Sequence, residues 1–100
     1  MASKGSVITE ERVERYIKLT SEALAKAKLA APERSFNRRL AEDFMKMAKA
    51  YFEDAKDFRD KGDLVNAFAC INYSHGWLDS GARIGLFDVG GNDRLFTLFE

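Results

Sequence analysis

One hundred residues with 46% apolar content make a single folded domain with a modest core and exclude an intrinsically disordered chain. Sixteen basic and sixteen acidic side chains cancel, so no overall field draws the chain to nucleic acid or to an anionic membrane. The one cysteine, Cys70, excludes an intrachain disulfide and a cysteine-built zinc site and fits a reducing, cytoplasmic setting, and no segment approaches the roughly 18 consecutive apolar residues of a membrane span.

The chain divides into a polar, flexible N-terminus (1–8), a three-helix bundle (9–88) and a short apolar C-terminal tail (89–100). The first helix is expected to start after Thr9, an N-cap followed by Glu10 and Glu11 at the positive end of the dipole. Val13, Ile17, Thr20, Leu24, Ala27 and Ala31 then recur every three or four residues, and Pro32 ends the helix. The second helix, capped by Ser35 or Asn37, carries Phe36, Leu40, Phe44, Met47, Tyr51, Ala55 and Phe58 within about a third of its circumference. Gly62 is a natural residue to follow its end, and Asp63 a natural cap for the next helix. So short a junction makes the second and third helices antiparallel neighbours, and the fold class is an all-α, up-down-up antiparallel bundle.

The third helix departs from a plain amphipathic pattern. Leu64, Phe68, Ile71, Leu78, Ala82 and Leu86 form its main stripe, while Tyr73, Trp77, Cys70 and Ile84 lie nearly opposite. Between these two apolar faces runs a polar seam of Asn72, His75, Asp79 and Arg83. His75 and Asp79 are one turn apart and are placed to hydrogen-bond, which would orient the imidazole. Gly81 and Gly85 share a face and indicate either close approach of another backbone or the end of the helix. Past Gly90 and Gly91, the tail carries Leu95, Phe96, Leu98 and Phe99. So much apolar surface calls for docking on the bundle or on a partner.

The run from Asn72 through Tyr73, Ser74, His75, Gly76, Trp77 and Leu78 to Asp79, with Ala50–Ala55 and Lys61-Gly62-Asp63 before it and Gly81–Leu86 after it, resembles domain-of-unknown-function family 357. The resemblance implies a small, helical, archaeal, cytoplasmic protein. It supplies no catalytic residues.

No metal or cofactor is implied: there is one histidine, and no phosphate-cradling glycine loop opens a helix. Enzymatic chemistry is not indicated. The reading is a non-enzymatic interaction or oligomerisation module whose partner is itself or another protein, through Tyr73, Trp77, Ile84, Leu95, Phe96 and Phe99. The alternative is a small-ligand or catalytic site on the Asn72, His75, Asp79 and Arg83 seam. Arg34, Arg38 and Arg39 form a basic cluster, but zero net charge favours ion pairing with acids such as Glu42 over nucleic-acid binding.

Overall fold

The structure, a computed structural model, describes residues 7–92 and 94–96. Three helices, α1 (Glu10–Lys26), α2 (Phe36–Asp60) and α3 (Leu64–Arg83), form an all-α bundle. A two-stranded antiparallel pair, β1 (Lys28–Leu29) with β2 (Phe87–Asp88), closes one end. Phe99 lies outside the described residues.

The helix ends follow from local chemistry. The Thr9, Ser35 and Asp63 side chains accept from the backbone N–H groups of Arg12, Arg38 and Asn66, satisfying donors that the first turns leave open. α2 ends in a Schellman motif. Gly62 takes φ +78°, its N–H donates to the Arg59 carbonyl and the Asp63 N–H donates to that of Phe58. α3 ends the same way at Gly85, with Gly85 N–H on the Ala82 carbonyl and Leu86 N–H on that of Gly81. Leu86 is therefore buried beyond the helix rather than on its stripe.

α1 stops well before Pro32, the end expected from its sequence. At Ala27 the backbone turns extended, and Leu29 pairs with Phe87 while the Ala30 N–H donates to the Leu86 carbonyl. Continuing the helix would leave Leu86, Phe87 and Val89 without cover. Pairing the segment with the residues after α3 buries all three.

The core also sits differently from the expected stripes. Phe36 is 70% exposed, and the fully buried residues of α2 are Ala41, Ala48 and Ala55, one every seventh position. On α3 the buried set is Ala67, Ile71, Ser74, Leu78 and Gly81. Ser74 Oγ donates to the Ala48 carbonyl at 2.6 Å. The antiparallel register carried from that contact sets Ala55 against Ala67 and Ala41 against Gly81. Small residues thus face small residues along the seam, an arrangement that lets two helices pack closely.

Two apolar clusters result. Val13, Ile17, Ala55, Ala67 and Ile71 fill one end. Ala23, Ala41, Ala48, Leu78 and the chain after α3, including Leu95 and Phe96, fill the other. Between them lie the buried hydroxyls of Thr20 and Ser74, so a polar layer crosses the middle of the bundle.

Candidate functional site

His75 belongs to that polar layer. Its Nε2 lies 2.6 Å from the Leu95 carbonyl oxygen and its Nδ1 3.0 Å from Thr20 Oγ1. A carbonyl only accepts, so Nε2 carries the proton and donates; in the neutral ring Nδ1 then accepts from the Thr20 hydroxyl. This replaces the expected hydrogen bond to Asp79. The imidazole fastens α3 to α1 on one side and to the C-terminal segment on the other, and the Phe96 ring lies 6.3 Å from it. With one nitrogen on the buried Thr20 hydroxyl and the other on the Leu95 carbonyl, both of His75's nitrogens are bonded within the chain.

The rest of the seam lines a cleft of about 270 Å³ between α1, α3 and the tail, bounded by Tyr16, Leu19, Asn72, His75, Gly76, Asp79, Arg94 and Leu95. Arg94 is tied across α1 by a 2.8 Å ion pair with Glu22, which holds the Glu22 carboxyl below its usual range. Arg83 is exposed near the end of α3, clear of this cleft.

The face opposite is only partly spare. Trp77 packs edge-on against Phe44, ring centres 4.9 Å apart, and Tyr73 packs edge-on against Tyr51 at 4.4 Å. The Trp77 indole N–H is buried with no hydrogen-bond partner among the described residues. Tyr73 stays 52% exposed and Ile84 62% exposed. Leu95 and Phe96 are 3% exposed in the chain's own core, so the described tail docks on the bundle.

A second groove, of about 300 Å³, runs along α3 between Asn72, Tyr73, Gly76, Trp77 and Ser80. Asn72 and Gly76 border both hollows, so Gly76 is the low point of the ridge dividing them. A Cβ at Gly76 would meet nothing within 4 Å, whereas one at Gly81 would overlap the Phe87 ring. The fold requires glycine at 81. It does not require glycine at 76, where a helix interior loses about 0.5–1 kcal/mol relative to alanine.

The solvent face of α3 is unlike those of its neighbours. Its exposed residues are Val65, Asn66, Ala69, Asn72, Tyr73, Gly76, Ser80 and Arg83, of which Arg83 alone is charged. On α1 the exposed residues include Glu10, Glu11, Glu14, Arg15, Lys18 and Lys26, with Ser21 and Ala25 the uncharged exceptions. Depletion of charge around an aromatic side chain is the composition of an interface centre rather than of a solvated helix. Sequence periodicity singles out Asn72, Tyr73 and Arg83 on this face but not Ala69, Gly76 or Ser80, which are small and weakly polar. A count of charges per helix would have found it.

The basic cluster and Cys70 are accounted for without a site. Arg38 bonds Glu42 at 3.3 Å and the Ala31 carbonyl at 3.2 Å. Arg34 and Arg39 are exposed, Arg34 with φ +63° in the turn before α2. Burial first, then the nearby Asp54 and Asp63 carboxylates, push the Cys70 thiol up and keep it protonated. Among the described residues no helix is long and apolar enough to cross a membrane, and no group of three His, Cys, Asp or Glu side chains is placed to hold a metal ion.

Comparison with curated proteins and with solved structures finds no significant match. One family profile, described as a protein of unknown function (DUF357), matches residues 15–87, and the chain belongs to that family.

Proposed function

We propose that the domain is a non-enzymatic interaction module that docks through the solvent face of α3. The observation that carries this is Gly76. It sits in mid-helix on a face whose exposed residues carry one charge, where nothing among the described residues calls for glycine and where a neighbouring backbone would. Tyr73 supplies an exposed aromatic anchor beside it. The commitment of both His75 nitrogens weighs against the ligand or catalytic alternative.

The test is site-specific photo-crosslinking in cells, with the reactive group placed at Tyr73 or Ser80 on α3 and at Lys18 on α1. Discrete adducts from the α3 positions and none from Lys18 are expected. Equal, diffuse labelling from both helices removes the reading.

A further inference from the structure

Resting on that docking reading, we infer that the occupant of the α3 face is a second copy of the same chain, with the two α3 helices antiparallel about a two-fold axis at Gly76. Three features single out this partner.

First, an isologous contact sets each residue near the image of another residue of the same face, so a face carrying several like charges repels its own copy. Among the exposed residues of this face only Arg83, seven residues from Gly76, is charged, and the half-buried Asp79 on its flank is met by a donor of the copy. At 1.5 Å rise per residue the two Arg83 side chains would stand roughly 20 Å apart along the helices, well beyond screening distance.

Second, the polar groups pair. A two-fold at Gly76 brings position 76 + n of one helix beside position 76 − n of the other, and each flank meets the same flank of its copy. Asn72 and Asp79 lie on one flank, four before and three after Gly76, so the Asn72 carboxamide N–H₂ donates to Asp79 of the second copy. A carboxylate has lone pairs for several donors, so this adds to Asp79's existing interaction within the chain. On the other flank Tyr73 and Ser80 are three before and four after, so Tyr73 comes beside Ser80 of the second copy.

Third, the crossing point falls where a side chain is missing. Gly76 against Gly76 lets the backbones approach as Ala48 and Ser74 let α2 approach α3 within the chain.

Sedimentation velocity on the full chain from about 1 µM to about 1 mM reads the outcome directly. The wild type should move toward twice the 11.3 kDa chain mass as concentration rises. Gly76→Arg, whose Cβ has open space around it, should keep its helical circular dichroism and stay at the single-chain mass. Asn72→Asp sets a carboxylate against Asp79 of the copy and should weaken association at least about tenfold. Asn72→Asp with Asp79→Asn restores one donor and one acceptor at each of the two contacts on that flank and should recover it. A wild type that stays monomeric throughout overturns the second copy as occupant, and so does a dimer indifferent to Gly76→Arg. If Tyr73 then still crosslinks a different protein, the docking reading stands without it. If Tyr73 crosslinks nothing, both fall.

Discussion

The two sides of α3 use small residues for different purposes. On the inner side Ala67, Ser74 and Gly81 are buried along the Ala55, Ala48 and Ala41 stripe of α2, and at Gly81 the Phe87 ring occupies the space a Cβ would take. On the outer side Ala69, Gly76 and Ser80 are exposed, and at Gly76 no neighbour among the described residues explains the missing side chain. Residue type alone does not separate the two cases. What separates them is what a Cβ would meet, which is a property of the assembled bundle.

The sharpest way to break this contrast is to enlarge the inner seam. Ala48→Leu should cost about 3 kcal/mol or more in urea unfolding, because the new side chain either parts α2 from α3 or strains both. Gly81→Ala adds one methyl against the Phe87 ring and should cost about 1–3 kcal/mol, with the damage reported at the β1–β2 end. His75→Phe keeps the ring but leaves the Leu95 carbonyl without its donor. A loss of about 1–3 kcal/mol is expected, together with earlier proteolytic cleavage of the tail.

Gly76→Ala is the opposite control. At concentrations low enough to keep the chain monomeric it should raise stability by about 0.5–1 kcal/mol. A destabilising result would mean that the outer face is packed after all and would erase the difference between the two sides.

The smallest effect concerns the exposed Glu22–Arg94 pair. Arg94 lowers the folded-state pKa of Glu22, so its contribution is present above the unfolded carboxylate value and is lost as pH falls through the lowered folded value. Glu22→Gln should slightly flatten the acid limb of a stability-versus-pH curve and leave neutral stability nearly unchanged.

Much of this architecture is legible in the sequence because it is local. Thr9, Asp63 and Gly62 act through neighbours a few residues away, and the short Gly62-Asp63 junction dictates the antiparallel α2–α3 hairpin. The α2–α3 seam was less legible. Periodicity weights large apolar residues, so it sets the exposed Phe36 on the core stripe and passes over the buried Ala41 and Ala48. The β1–β2 pair was invisible because each strand is two residues long and its partner lies at the other end of the chain. The position of His75 on the boundary of the core was readable. Its partners, Thr20 and Leu95, come from α1 and the tail, and only tertiary folding brings them to it.

The small β1–β2 clasp also bears on the order in which the chain assembles. The α2–α3 hairpin makes its contacts between residues close in sequence, so its loop is short and closes quickly. Pairing Leu29 with Phe87 joins segments on either side of that hairpin and gains nothing until the hairpin has formed and α1 has come to lie beside it. The clasp is therefore expected to form late, after α1 has docked. Weakening it should leave the refolding rate of the α2–α3 core intact while speeding the release of α1.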